Sequence, residues 1–156
     1  MDDANVRSAA DLYDELDRRM IAAILESKAS GGSRVEQLIE LARLMGVMRI
    51  GIAHCVGFAE PAERLAKYLE EHFEVVTVDC KVGGLQAEEI VPDATGALCN
   101  PAGQADALNM AGTDLNISVG LCLGHDMIFQ KHSIAPVTVF AVKDRATNHQ
   151  PLDALK

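Results

Sequence analysis

Four short runs of apolar and β-branched residues alternate with helix-like segments through residues 48–142. The runs are MRIGIAHC (48–55), EVVTVDC (74–80), DLNISVGLC (114–122) and PVTVFAV (136–142). Such continuous apolar runs are typical of strands that are buried on both faces. Their alternation with helices predicts a single three-layer, Rossmann-like α/β domain with a four-stranded parallel sheet and right-handed connections. The simplest strand order is 2-1-3-4, with two extra N-terminal helices outside it.

Capping residues mark the helices that connect these runs. Pro61 suits a first helical turn, and Asn100 followed by Pro101 is typical of a helix N-terminus. An asparagine side chain caps unpaired N–H groups there, and proline has no N–H group to leave unpaired. Helices are therefore predicted over residues 60–73, 100–112 and 125–133, whereas residues 81–98 fit either a short helix or a loop, and the polar tail after residue 142 is weakly helical.

Two further helices are predicted before the first strand. An apolar stripe with helical spacing crosses residues 11–26; it consists of Leu12, Leu16, Met20 and Ile24. The glycines of KASGGS (28–33) end this helix, because glycine is costly inside one. Ser33 and Glu36 then have capping-box spacing, and Gly46 closes the second helix.

Length and charge limit the class of protein. A chain of 156 residues fits one ordinary domain, expected over residues 33–156, with the helix and Gly/Ser linker of residues 1–32 packed on it. The formal charge of −9 disfavours nucleic-acid and anionic membrane surfaces. No apolar run approaches the ~18 residues of a membrane-spanning helix, and the acidic N-terminus lacks a signal peptide. We therefore expect a cytoplasmic protein whose cysteines are thiols or metal ligands.

The four cysteines are the main candidates for chemistry. Cys55, Cys80 and Cys122 each end a predicted strand, and Cys99 stands just before a predicted helix. All four should therefore lie at the carboxyl edge of the sheet, where open α/β folds bind ligands. Cys55 and Cys122 should flank the point where the strand order reverses, and nearby helix N-termini would lower thiol pKa values. No CxxC pair occurs, so a metal site would have to be assembled by the fold.

Neighbouring polar residues have weaker roles. His125 follows Cys122 by three residues and could turn back toward that thiol, although loop or capping work is the commoner use of such a histidine. Asp126 fits a helix cap. His54 should face away from Cys55 on the other side of its strand.

The basic and glycine-rich segments give weaker indications of function. Lys81 could lower the pKa of Cys80, but a solvated lysine is the more common role. The segment KDR (143–145) fits an anion anchor or, preferably, a partner for a carboxylate elsewhere. Neither KVGG nor GLCLGHD matches a dinucleotide or Walker fingerprint, so no nucleotide cofactor is indicated.

Several segments resemble a known family nearly word for word. RIGIAHCVG, VDCKVGG, LCNPAGQADALNMAGTDLNISVGLCLGHD and APVTVFAVKDRATNHQP are similar to domain-of-unknown-function family 1847, whose members commonly carry a provisional metal-binding label. The similarity runs from about Arg34 to the C-terminus. Members often have a cysteine-rich segment before the first helix, and MDDANVRSAADLYDELD has none. The metal label transfers only if it derives from the positions of the four cysteines.

Three functions remain open at this point. The first is a zinc or iron–sulfur site built from the four cysteines and His125, since thiolates suit both groups; its ligands would be Cys55, Cys80, Cys99, Cys122 and His125. The second is a thiol-dependent redox or sulfur-transfer enzyme with Cys55 and Cys122 as nucleophile and resolving partner. The third is a non-catalytic module that binds a small anion or forms a homodimer, for example through the exposed flank of the helix at residues 11–26. We rank the metal site first, partly on the family label.

Overall fold

A computed structural model describes residues 8–27 and 31–156 of the chain. The chain divides into two compact units, Met1–Val47 and Met48–Lys156. Part of the predicted KASGGS break, residues 28–30, lies outside the described residues. Within the described ranges, no helix is long and apolar enough to cross a membrane.

The first unit contains helices α1 (Glu15–Glu26) and α2 (Arg34–Leu44). Both begin with a capping box, formed by Asp14 with Asp17 in α1 and by Ser33 with Glu36 in α2. The box at Ser33 and the closing Gly46, at φ +73°, confirm the predicted limits of α2.

The predicted start of the first helix was wrong. A 3₁₀ turn over Ala9–Leu12 precedes α1, because Asp14 is extended and its carboxylate accepts the N–H of Asp17. Leu12 therefore lies outside the helix, and Ile24 of the predicted apolar stripe is 58% exposed. A homodimer through this flank stays a prediction.

The second unit is built on a four-stranded parallel sheet, as predicted. Its strands are β1 (Arg49–His54), β2 (Glu74–Asp79), β3 (Leu115–Val119) and β4 (Val137–Ala141). Their order is β2-β1-β3-β4, and every pair is parallel. The predicted fold class and strand order are confirmed, and β3 is buried at all five positions.

Three helices cross over between these strands: α3 (Ala59–Leu69), α4 (Pro101–Met110) and α5 (Leu123–His132). The ambiguous stretch at residues 81–98 holds two 3₁₀ turns, Val82–Gly84 and Ala87–Glu89, and one antiparallel bridge between Gln86 and Ala97. A last 3₁₀ turn covers Pro151–Leu155 of the tail. The right-handed crossover rule places α3 on one face of the sheet and α4 and α5 on the other.

Small residues on β1 allow α4 to approach the sheet closely. A Cβ atom on Gly51 would lie 2.2 Å from Asn116 Oδ1 and 2.8 Å from Leu108 of α4. Ile50 and Ile52, which alternate with Gly51, are fully buried toward the other face. This alternation places His54 on the α3 face, where it lines a shallow pocket with residues of α3 and β2.

Candidate functional site

The strand register brings the cysteines to the carboxyl edge of the sheet. His54 pairs with Asp79 on one side and with Val119 on the other, so Cys55 and Cys80 follow neighbouring strand ends. The N–H of Asn100 donates to the carbonyl of Cys80 at 2.8 Å, and this bond brings the segment before α4 against the end of β2. Strand ends thus supply the backbone positions of the thiols.

The Cys55 thiol contacts a lysine. Lys143 Nζ lies 2.9 Å from Cys55 Sγ, and the N–H of Gly57 donates to the same sulfur at 3.4 Å. Lys143 follows β4, so its side chain reaches across the end of β3 to the end of β1. The prediction that the KDR segment pairs with a carboxylate was wrong for Lys143, because its ammonium group donates to a sulfur.

The environment of Cys55 favours its ionised form. Burial opposes ionisation, but the hydrogen bond and charge of Lys143 and the N–H of Gly57 outweigh it, so the pKa of Cys55 lies below its ordinary value. The same contact raises the pKa of Lys143 above its usual value. The contact with Lys143 therefore favours the thiolate form of Cys55.

Cys80 has the opposite environment. It is 1% exposed, and burial, assisted by the neighbouring Cys99 thiol, raises its pKa to about 11 although the N–H of Val56 opposes the shift. Its sulfur lies 3.6 Å from Cys99 Sγ, and it interacts electrostatically with Cys55, which follows the end of the neighbouring strand. Cys80 is therefore a protonated thiol between two others.

Lys81 is exposed, as the preferred interpretation of a solvated lysine predicts, and it does not lower the pKa of Cys80. Lys81 Nζ donates to the carbonyl of Ala97 at 3.2 Å, and its N–H group donates to Asp79 at 2.6 Å. The lysine therefore ties the end of β2 to the following loop. We name Cys55, Cys80, Cys99 and Lys143 the thiol site.

Cys122 and His125 lie apart from these sulfur contacts. Cys122 is the N-cap residue of α5 and is half-buried, but its side chain makes no capping hydrogen bond. It interacts electrostatically with Lys143. His125 lies in the first turn of α5 and lines a cavity with Cys99. Asp126 does not cap the helix; its carboxylate accepts from Gln130 at 2.8 Å.

The loop after β4 holds Lys143 in place. The carboxylate of Asp144 accepts hydrogen bonds from the N–H of Ala146 and from the N–H and hydroxyl of Thr147. The Nδ1 atom of His149 accepts a hydrogen bond from the N–H of Asp144 at 3.1 Å, and its ring packs edge-on against Phe58. We name residues 143–149 the lysine loop.

A glycine makes room for the same packing. Gly120 follows β3 with φ +63°, and a Cβ atom there would lie 2.2 Å from the Phe58 ring. The positive φ and the close approach both favour glycine. Phe58 therefore packs closely on Gly120, the residue after β3, while its ring meets His149 edge-on.

Gln104 connects the strand ends from below. Its side chain is fully buried in α4, and Nε2 donates to the carbonyls of His54 at 3.1 Å and Val78 at 2.8 Å. These carbonyls stand next to Cys55 and near Cys80. The helix that carries Gln104 begins just after Cys99, so one side chain joins the three segments that bear the thiols.

A preformed metal geometry is not present. Within residues 8–27 and 31–156, no group of three or more His, Cys, Asp or Glu side chains is arranged to hold a metal ion. The four-cysteine site with His125 therefore stays a prediction. Cys80 and Cys99 have the closest pair of sulfur atoms.

Sequence reasoning singled out the segment that contains Lys143 but missed its contact with Cys55. Its signal was its position, two residues beyond the end of β4 at the same edge as the cysteines. Because β3 lies between β4 and β1, the two strand ends are separated by two spacings of ~4.8 Å, and the contact depends on the path of the chain after β4. Sequence alone could not choose between a thiol and a carboxylate as its partner.

Comparison with known proteins assigns the chain to a family. Residues 1–140 match the family described as a protein of unknown function, DUF1847. An uncharacterised protein of Methanocaldococcus jannaschii is 49% identical over 128 residues, which are 79% of this chain and 66% of that relative. The match thus spans slightly less than two thirds of the relative's length. No solved structure matches. The resemblance to this family is thereby confirmed over residues 1–140, and the chain belongs to the DUF1847 family.

Proposed function

We propose that the protein is a thiol-dependent redox protein in which Cys55 attacks an electrophilic sulfur atom. The contact of 2.9 Å between Lys143 Nζ and Cys55 Sγ carries this proposal. A thiolate is the reactive form of cysteine, and a neighbouring ammonium group populates it at neutral pH. The N–H of Gly57 adds a second donor to the same sulfur.

Cys80 completes the reaction. The Cys55 thiolate attacks a disulfide R–S–S–R, forming a Cys55–S–S–R bond and releasing one thiolate, which takes a proton from water. Cys80 then loses its proton and attacks Cys55 Sγ, which forms a Cys55–Cys80 disulfide and releases the second thiolate. The substrate disulfide gains two electrons, and the two cysteines lose them.

Cys80 fits the resolving role better than Cys122. Cys80 and Cys55 directly follow the paired ends of β2 and β1 and interact electrostatically, whereas Cys122 shares with that pair only an electrostatic interaction with Lys143. The sequence-based choice of Cys122 as resolving partner is therefore replaced in this proposal. The proposal keeps the cytoplasmic location, because the pair must be returned to thiols in a reducing compartment.

Alkylation as a function of pH tests the nucleophile. We expect the iodoacetamide reactivity of Cys55, followed by peptide mass spectrometry, to rise with pH at a midpoint below ~8.5, the value of a free cysteine. Lys143→Met should raise this midpoint and slow alkylation at pH 7 about threefold to tenfold, since the thiolate fraction falls. Lys143→Arg keeps the positive charge and should retain most of the reactivity.

Lys81→Met is the matched control, because that lysine donates to a backbone carbonyl beside Cys80. It should leave the Cys55 profile unchanged. A wild-type midpoint at or above that of free cysteine would refute the proposal, as would equal effects of Lys81→Met and Lys143→Met. Circular dichroism establishes that each variant is folded.

A cysteine-ligated zinc ion or iron–sulfur cluster is the second candidate, and one observation favours it. The Cys80 and Cys99 sulfur atoms are 3.6 Å apart, and two sulfur ligands of tetrahedral zinc lie about 3.8 Å apart. The contact of Lys143 with Cys55 argues against this candidate, since the ammonium group would have to withdraw before Cys55 could ligate a cation. For this reason the thiol reaction is placed first.

Metal analysis of protein prepared without oxygen separates the two candidates. A resident metal predicts about one equivalent of zinc, or iron with visible absorption, and its loss in Cys80→Ser. The thiol reaction predicts a colourless protein with titratable thiols and no stoichiometric metal. Reconstitution with iron and sulfide under the same conditions is the control, and failure to take up either metal eliminates the metal candidate.

A further inference from the structure

We infer that the cavity beside Cys99 is a second binding site, for a small thiol with a compact apolar group, and that the disulfide made at Cys55 reaches it through Cys80. This inference rests on the proposed exchange at Cys55. It adds a second substrate, a second reactive thiol and a direction of transfer.

The cavity has the size and lining for such a ligand. Its volume is about 160 Å³, and an apolar cavity of about 150 Å³ is known to admit a benzene ring. Its apolar lining comes from Leu85, Ile90, Leu98, Pro101, Ala102 and Ile128. Cys99 is half-buried at this cavity, with Asn100 and His125 as its polar neighbours. A thiol bound there would have its sulfur near Cys99.

The contacts order the three sulfur atoms in a series. Cys55 and Cys80 directly follow the paired ends of β1 and β2, and Cys80 Sγ lies 3.6 Å from Cys99 Sγ. Cys80 is 1% exposed and Cys55 is 6% exposed, whereas Cys99 is half-buried. Cys99 is the member of the series that lines a cavity.

The charge of Lys143 gives the transfer its direction. In a Cys55–Cys80 disulfide, the Cys99 thiolate attacks Cys80 Sγ, a Cys80–Cys99 bond forms, and Cys55 leaves as a thiolate beside the ammonium group. A stabilised thiolate is the better leaving group. The oxidised protein should therefore rest as a Cys80–Cys99 disulfide with Cys55 free.

The second thiol then restores the protein. R′–S⁻ bound in the cavity attacks Cys99 Sγ, and Cys80 leaves and takes up a proton in its buried position. A second R′–SH attacks the mixed disulfide, which releases R′–S–S–R′ and the Cys99 thiolate. Over the cycle one R–S–S–R is reduced to two thiols, and two R′–SH are oxidised to one disulfide.

Disulfide mapping tests the transfer. The full chain is oxidised with one equivalent of 2-hydroxyethyl disulfide, blocked with iodoacetamide and digested for mass spectrometry. We expect a Cys80–Cys99 linkage with Cys55 alkylated, and in Cys99→Ser a Cys55–Cys80 linkage instead. A linkage to Cys122, or a wild-type product that stays at Cys55–Cys80, overturns the transfer. The second result would leave the proposed reaction of Cys55 intact, whereas a Cys55 that never reacts would refute that reaction.

Reduction kinetics test the cavity. Phenylmethanethiol should reduce the oxidised protein roughly tenfold faster than 2-mercaptoethanol, because its ring is buried on binding. Ala102→Phe fills the cavity and should remove this preference. Asp106→Phe adds the same side chain one turn further along α4 at an exposed position and should keep the preference. Equal rates for both thiols in the wild-type protein, or a preference unchanged by Ala102→Phe, overturn the assignment of the cavity.

Discussion

Two cysteines at neighbouring strand ends have opposite chemistry because of the single residues around them. Cys55 meets an ammonium group and a backbone N–H, whereas Cys80 meets two thiols and one N–H inside the protein. Position at the carboxyl edge is therefore not sufficient to make a cysteine reactive. The difference arises from Lys143, which lies 88 residues further along the chain.

At this scale we predict that Cys80 makes the protein less stable in alkaline solution. Its pKa is about 11 in the folded protein and ~8.5 when unfolded, so between these values the folded state holds a proton that the unfolded state has lost. The free energy of unfolding should then fall as pH rises through this window. The lowered pKa of Cys55 has the opposite sign, and its contribution is complete above the unfolded value.

Urea denaturation of wild type and Cys80→Ala at pH 7.5, 9 and 10, with reductant present, measures this effect. The advantage of the wild type over Cys80→Ala should shrink by up to about 2 kcal/mol across the series. An advantage that is constant with pH would show that burial does not hold the Cys80 proton. Titrating groups away from the cysteines are common to both proteins and cancel in the difference.

At the scale of elements, the lysine loop belongs to no helix or strand, yet it positions Lys143 at the site. Asp144 binds the backbone and hydroxyl of the residues that follow it, which also keeps its own pKa below the usual value, chiefly through the Thr147 hydroxyl. The loop is thereby closed on itself before it reaches Phe58. The hydrogen bonds within the loop therefore fix the position of Lys143.

We expect Asp144→Ala to lower the reactivity of Cys55, although Asp144 does not contact that cysteine. Loss of the carboxylate frees the loop, the ammonium group spends less time at the sulfur, and alkylation of Cys55 at pH 7 should slow about twofold to fivefold. Asp153→Ala removes a carboxylate that pairs with Lys156 in the exposed tail, and the alkylation rate should not change. Equal rates for Asp144→Ala and wild type would mean that the loop does not position Lys143.

At the scale of the whole molecule, sequence reasoning recovers the sheet better than the site. Strand order follows from the alternation of strands and helices, because crossover chirality leaves few alternatives. The limits of α2 and α4 follow from local caps at Ser33 and Asn100. The start of α1 failed because the apolar stripe extends beyond the residue that caps the helix.

The site depends on contacts that no local pattern encodes. Placement of the cysteines at one edge follows from topology, but which sulfur meets which partner depends on side-chain directions after each strand ends. Lys143 and Cys55 are joined only after four strands are in register. The cavity at Cys99 is likewise lined in part by the loop of residues 81–98. The sequence of this loop fits either a short helix or an irregular segment, so it does not predict the cavity.

The amide of Gln104 has a mechanical consequence. Because it ties the carbonyls of His54 in β1 and Val78 in β2 to the helix that starts after Cys99, we expect it to restrict changes in the spacing of the three sulfur atoms. We then expect a thermal displacement of α4 to move Cys55, Cys80 and Cys99 in the same direction, with little change in the distances between their sulfur atoms. A shorter side chain at position 104 would let the two strand ends move independently. The distances between the sulfur atoms would then vary more, although the sheet itself would stay ordered.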